Sequence, residues 1–323
     1  MVMKKIVIMF PKFDHYKEVI EKICRERWQV VYLSRDCTKE QFREHSRDAE
    51  IIFGDVDPKW LRECRNLKWI QISWAGVGPY MNKDYLQHIA LTNASGAYGA
   101  VIAEHVMGLL LSLARHIPEY VHHAKTGCWK DCGAEWRLRG KKALILGAGD
   151  IGTAVADRAA AFGMEVTGFC RHMRKPEGSF VRMIMAEQLD QAIKEADFIC
   201  GCLPETPETI HLLDAHRLEM TKKDAILINV GRGSLIDTDS LVRMLMRGHF
   251  FGIGLDVTDP EPLPKEHPLW TFYNVIITPH VAGIGFGHHN SAEEAIWKLS
   301  LENLERFRNG ETLKNLVDYK RGY

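Results

Sequence analysis

The chain carries no excess charge: 42 Lys and Arg stand against 42 Asp and Glu. That balance removes any global attraction to nucleic acid or an acidic membrane, so neither is expected as a partner. No apolar run approaches the roughly 18 residues that span a bilayer. Met1–Phe10 imitates a signal peptide, with two lysines before an apolar stretch. Its core, Ile6–Phe10, is shorter than the roughly 7–15 residues of an h-region, and Pro11, Lys12 and Asp14 end it, so a buried first strand is the better reading. Low-complexity tracts are absent, which excludes disordered and collagen-like chains. No C-x-x-C or H-x-x-x-H pairing occurs among the 8 cysteines and 15 histidines. His122, His123, Cys128 and Cys132 therefore read as surface-loop residues, and no metal is expected. Scattered cysteines such as Cys200 and Cys202 sit in apolar segments and read as reduced core residues, which favours the cytoplasm.

What is present is ordinary globular composition, 46% hydrophobic and 26% charged over 323 residues, enough for about two domains. Short apolar runs alternate with amphipathic segments. Lys5–Phe10, Gln29–Leu33, Glu50–Gly54, Lys68–Ser73 and Ala90–Asn93 read as strands, with helices at His15–Arg27 and Thr38–Ser46. Ala100–Lys125 then reads as one long helix kinked at Pro118, and Thr126–Arg139 as a surface excursion. A second series follows. Its strands are Ala143–Gly147, Glu165–Phe169, Phe198–Leu203, Ala225–Val230, Gly252–Val257 and Asn274–Thr278. Helices fit at Ile151–Phe162, Glu187–Ala196, Ala215–Thr221 and Asp237–Arg247. Six strands in this rhythm predict an α/β fold with a doubly wound parallel sheet. Ser291–Arg308 is a last helix without a strand partner.

Gly147-Ala148-Gly149-Asp150-Ile151-Gly152 fits G-x-G-x-x-G between an apolar strand and an amphipathic helix. Gly147 permits the tight turn, Gly149 lets a pyrophosphate approach the backbone, and Gly152 lets helix and strand pack closely. The helix start, at Asp150 and Ile151, presents backbone N–H groups to the phosphates. A plain βα turn is the bland alternative. About 20 residues after the turn an NAD site carries Asp or Glu for the ribose 2′-OH. Here the chain reads Phe169-Cys170-Arg171-His172-Met173-Arg174-Lys175, with no carboxylate before Glu177. Arg171, His172 and Arg174 suit a 2′-phosphate, which predicts NADP(H), with NAD(H) over a solvated basic loop as the alternative.

Three polar residues follow three later strands: Arg232, Glu261 and His280. Ligands of open α/β sheets bind outside the carboxyl ends of the strands, so these side chains reach one rim. Arg232 can hold a carboxylate with two parallel hydrogen bonds. His280 can pass a proton to a ketone oxygen, and Glu261 can orient the imidazole. Each alone is as readily a solvated charge or a packed residue; three at successive strand ends point to carbonyl reduction.

These stretches, with Ala103-Glu104-His105, Ala196–Pro204, Asn229–Asp237, Leu255–Pro262, Thr278–Gly283, Asn315–Asp318 and Arg321–Tyr323, resemble the D-isomer-specific 2-hydroxyacid dehydrogenase family over nearly the whole chain. The resemblance implies a Rossmann cofactor domain (100–286) and a smaller flavodoxin-like α/β substrate domain. The latter is built from residues 1–99 and a helix returning in 287–323. It implies a homodimer built around the long helix 100–125. It makes Arg232, Glu261 and His280 catalytic and adds Leu203, Pro204, Val230, Asp256 and Gly283 to the cofactor residues, Asp256 at the nicotinamide carboxamide. Gly76, Val77 and Gly78 match a loop whose N–H groups hold the substrate carboxylate beside Arg232 and His280. Family members often carry an acidic or polar residue at the position of Gly78, and Cys170 and Arg171 replace the usual ribose-binding Asp. The latter departure is similar to the NADPH-dependent glyoxylate and hydroxypyruvate reductase branch. The expected activity is NAD(P)H-dependent reduction of a small 2-oxo acid to a D-2-hydroxy acid. An NAD-dependent dehydrogenase of a phosphoglycerate-like acid and a cofactor-sensing binding protein on the same fold stay open. His288 and His289 are expected to be exposed. Trp129 and Trp136 read equally as reaching a partner subunit or as packing, and Leu109, Leu110, Leu113 and Ile117 as core or dimer contact.

Overall fold

The structure, a computed structural model, describes residues 3–81, 83–287 and 291–319. The readings of His288, His289 and Arg321–Tyr323 fall outside the described residues. The chain forms two compact units, Met1–Tyr98 with Ile284–Tyr323, and Gly99–Gly283. The boundaries drawn from sequence, after residues 99 and 286, lie one and three residues beyond these.

The first unit contains β1 (Lys4–Ile8), α1 (Lys17–Cys24), β2 (Trp28–Tyr32), α2 (Lys39–Ser46), β3 (Ala49–Phe53), β4 (Trp69–Gln71) and β5 (Ala90–Thr92). Its five strands lie in the order β2-β1-β3-β4-β5 and all pair in parallel, the flavodoxin-like order. A sheet covered on both faces needs continuous apolar strands, and Ile6, Val7, Ile8, Ile51, Ile52 and Phe53 are all fully buried. The segment expected as one helix, His15–Arg27, opens instead with a 3-10 turn at Phe13–Tyr16 before α1. Thr38 is the N-cap of α2 rather than its first residue, in a capping box with Gln41.

The second unit begins with α3 (Gly99–Ala114) and α4 (Ile117–Lys125). The single long helix expected over 100–125 is therefore two helices, bent by 65°. The break precedes Pro118, at His116, whose φ is +52°. Proline has no N–H to return to Ala114, but in the first turn of a new helix none is needed. The Ala114 carbonyl instead accepts from Trp136 N at 2.9 Å. That bond ties down part of the expected surface excursion: Trp136 and Leu138 are buried, while Trp129 is fully exposed. Among the described residues no single helix is long and apolar enough to cross a membrane.

There follow β6 (Lys142–Leu146), α5 (Asp150–Ala161), β7 (Glu165–Phe169), β8 (Phe180–Ile184), α6 (Leu189–Glu195), β9 (Phe198–Gly201), α7 (Ala215–Met220), β10 (Ile226–Asn229), α8 (Thr238–Met246), β11 (Gly252–Leu255) and β12 (Val275–Ile277). The sheet order is β12-β11-β10-β9-β6-β7-β8, parallel throughout, which is the Rossmann order with a seventh strand. The strand absent from the six-strand expectation is β8. No helix separates it from β7, so the alternation that reveals the other strands is missing there, and Val181 on this edge strand is exposed. Leu109 and Leu113 of α3 pack on Gly254 and Gly252 of β11, where a Cβ would meet them at 3.3 and 2.9 Å. Leu109, Leu110 and Leu113 are thus core, whereas Ile117 is exposed.

The last helix, α9 (Glu293–Asn309), belongs to the first unit. Trp297 is fully buried there, donating to Pro11 O and meeting Phe10 edge-on. Asn303 donates to Gln71 Oε1 at 3.1 Å and to Lys314 O at 3.1 Å, joining helix, sheet and tail.

Candidate functional site

The turn after β6 has the shape a dinucleotide requires. Gly147 has φ +105°, and a Cβ on Gly152 would lie 1.9 Å from Gly147 O, so only glycine permits this approach of helix and strand. Above Gly149 a Cβ would meet nothing within 4 Å, leaving the backbone open to a phosphate. The amides of Asp150, Ile151 and Gly152 precede the first intrahelical bond, Thr153 N to Gly149 O at 2.9 Å, at the positive end of α5. The Asp150 carboxylate itself lies against Gly99, where a Cβ would meet Oδ1 at 2.6 Å, at the start of α3. These residues fit a nicotinamide dinucleotide.

Beyond β7 the basic loop is engaged by its own chain. The Arg171 guanidinium lies 3.6 Å from Glu208 Oε1, and Arg174 donates to the Ala148 carbonyl inside the glycine turn. His172 is exposed. Leu203 forms the wall opposite the turn: a Cβ on Gly147 would meet its Cδ2 at 3.1 Å and Cys202 O at 3.0 Å.

Arg232 stands between two glycines that bring its loop close to neighbouring strand ends. A Cβ on Gly231 would lie 2.6 Å from Leu203 O, and one on Gly233 2.0 Å from Thr258 O. Fully buried Asn229 pins the loop, accepting from Gly231 N and donating to Arg232 O at 2.8 Å. Glu261 and His280 meet: Nδ1 is 2.7 Å from Oε1, with both side chains about half exposed, at 42% and 48%. Among the described residues the other imidazole nitrogen, Nε2, makes no hydrogen bond. His280 has φ +55°, a left-handed backbone held by Asp256. Asp256 is 2% exposed, and its main-chain oxygen accepts from His280 N at 2.9 Å. Its Oδ1 accepts from Thr278 Oγ1 at 2.6 Å and Val281 N at 2.9 Å, and its Oδ2 from Ala282 N at 3.0 Å. The carboxylate expected at a carboxamide thus already braces the His280 loop. His105 Nε2 closes the web at 3.1 Å from Thr278 Oγ1. Val230 and Gly283 flank it in sequence.

In the first unit, the loop with Gly76, Val77 and Gly78 is braced from several sides. Asp55 takes Ser73 N at 2.7 Å and Ser73 Oγ at 2.5 Å. Tyr98 donates to Ser73 O at 2.6 Å, and Asn93 to Ala75 O at 2.7 Å. Burial pushes the Asp55 carboxyl up from its ordinary value against these hydrogen bonds. Burial likewise lifts the Tyr98 phenol, helped by the charge of Asp55.

Comparison with known proteins places the chain in a family. Residues 107–282 match the family model described as D-isomer specific 2-hydroxyacid dehydrogenase, NAD binding domain. A glyoxylate reductase of Thermococcus litoralis is 36% identical over 86% of this chain and 85% of its own. The chain belongs to the D-isomer specific 2-hydroxyacid dehydrogenase family. A structure of a family protein from Aeromonas salmonicida superposes with TM-score 0.85 at 30% identity, covering 98% of this chain and 99% of that one. An NADPH-dependent glyoxylate/hydroxypyruvate reductase from Sinorhizobium meliloti, in complex with NADP and sulfate, gives 0.81 at 25% identity, covering 99% and 100%.

As a 2-hydroxyacid dehydrogenase the chain holds residues that sequence reading passed over. Asp55 and Glu208 were not singled out, although Asp55 follows β3 directly, where the strand-end rule applies. Glu208 has no such signal, because its partner lies 37 residues away. Between Cys132 Sγ and His123 Nδ1 the separation is 3.7 Å, and among the described residues no group of three or more His, Cys, Asp or Glu is arranged to hold a metal.

Proposed function

We propose that this 2-hydroxyacid dehydrogenase reduces a small 2-oxo acid, of the size of glyoxylate or hydroxypyruvate, to a D-2-hydroxy acid, with NADP(H) preferred. The observation that carries the reading is the 2.7 Å His280–Glu261 pair, in the same unit as the Gly147–Gly152 turn. A bound nicotinamide supplies the hydride. His280 Nε2 gives its proton to the ketone oxygen as negative charge develops there, and Glu261 fixes the ring through Nδ1. Arg232 binds the carboxylate through its guanidinium, on a loop whose main chain Asn229 holds at Arg232 O. In the first unit the amides of Gly76, Val77 and Gly78 suit a carboxylate. NADP(H) is favoured by Arg171 and Arg174, by the missing carboxylate after β7, and by the NADP-bound Sinorhizobium relative.

A homodimer belongs to the same proposal. Ile117 and Val121 of α4 and the fully exposed Trp129 offer an apolar surface for a second copy. Light scattering tests it, a monomer at micromolar concentration refuting it.

The test of function is NADPH and NADH oxidation with glyoxylate, hydroxypyruvate, pyruvate, phenylpyruvate and 2-oxoisocaproate. Turnover preferring NADPH is expected, and His280→Ala should cut it by about 10²–10⁴-fold with cofactor binding retained. Cofactor binding without turnover of any 2-oxo acid would point to a sensing protein instead.

A further inference from the structure

The two arginines assigned to the 2′-phosphate are held in different ways. Arg174 donates to the Ala148 carbonyl, a neutral acceptor that sets no charge against an incoming anion. Arg171 lies 3.6 Å from a carboxylate, Glu208 Oε1. Glu208 sits in a fastened loop. Thr206 N donates to Thr209 Oγ1 at 2.8 Å, and Thr209 Oγ1 donates to Pro204 O at 2.7 Å. Its carboxyl is held below the usual carboxylate range by the Thr206 hydroxyl, by its own backbone amide and by Arg171, so it is ionised throughout the neutral range.

A phosphomonoester carries about −1.5 to −2 charges at neutral pH. Arriving at Arg171, it meets a guanidinium already paired and a like charge beside it. Either the ion pair opens or two anions share one cation. The unphosphorylated ribose of NAD imposes neither cost. We propose that Glu208 is a cofactor-specificity residue: by occupying Arg171, its carboxylate weakens binding of 2′-phosphorylated dinucleotides and narrows the preference for NADPH over NADH. This rests on the assignment of Arg171 to the 2′-phosphate.

The experiment is titration of NADPH and NADH into the wild-type protein, Glu208→Gln and Arg171→Ala, read by quenching of tryptophan fluorescence. Because both side chains are more than half exposed, at 53% and 65%, the substitutions leave the fold intact. Glu208→Gln should tighten NADPH by about two- to fivefold, the scale of an exposed ion pair, and leave NADH within about twofold. Unchanged or weaker NADPH binding in Glu208→Gln, while Arg171→Ala still costs NADPH more than NADH, would overturn the role of Glu208 and leave the NADP site standing. Equal losses of both cofactors in Arg171→Ala would remove Arg171 from the 2′-phosphate and overturn the proposal at its base.

Discussion

Replacing Glu261 by Gln and by Ala separates two contributions at His280, the orientation of the ring and the charge behind it. The pair measures 2.7 Å, the length of a charge-assisted hydrogen bond. A hydrogen bond to a charged group is worth about 1.5–3 kcal/mol net, and one between neutral groups about 0.5–1.5 kcal/mol. With the two side chains 42% and 48% exposed, water screens the charge and the lower ends apply. Glu261→Gln keeps an oxygen that can accept from Nδ1–H and loses the charge, about 1 kcal/mol, or about fivefold in kcat/KM. Glu261→Ala loses both, about 1.5 kcal/mol, or about tenfold or more. The assay is kcat/KM for NADPH-dependent glyoxylate reduction at pH 7, with the cofactor Kd measured alongside and expected to stay constant. If Glu261→Ala works within about twofold of wild type, the pair does not act on the proton donor and the reasoning fails.

Gly152→Ala should weaken NADPH and NADH alike, since its Cβ would lie 1.9 Å from Gly147 O and the turn must open; an unchanged Kd for both would refute the turn as the phosphate cradle. Asp256→Ala leaves the Val281 and Ala282 amides and the Thr278 hydroxyl without their buried acceptor, a loss of about 2–4 kcal/mol in a denaturant titration; under about 1 kcal/mol would show that the His280 loop is held by other means. Glu50 is 4% exposed and accepts from Lys4, Lys68 and Trp28 Nε1. Burial raises its pKa, but these three partners outweigh burial and leave it below its ordinary value. A depressed folded-state pKa contributes stability above the unfolded value near about 4.3, and that contribution is lost as pH falls through the folded value. Glu50→Gln should therefore cost about 1–2 kcal/mol at pH 7, with the gap to wild type closing below about pH 4; a gap independent of pH would contradict this.

Much of the fold was legible locally. β7 lies where the apolar run Glu165–Phe169 put it, and the glycines of the turn after β6 were readable because each answers a constraint within a few residues. A parallel strand buried on both faces must be apolar throughout, and that writes itself into sequence. Where the local signal fails, so did the reading. β8 lacks a preceding helix, and the break of the long helix sits at His116 rather than Pro118, because Trp136, not the helix, satisfies Ala114 O.

The sequence by itself determined most of the strands and helices, where the dinucleotide turn lies, and which residue types stand at the strand ends. Tertiary structure alone decided their partners. His280 meets Glu261 across 19 residues, Asp256 braces the His280 loop from 22 to 26 residues away, and Glu208 occupies Arg171 across 37. Backbone conformation is governed by neighbours in the chain, and its traces recur at fixed spacing. A charge finds its partner through space, and that distance is set by strand order, which no local pattern records.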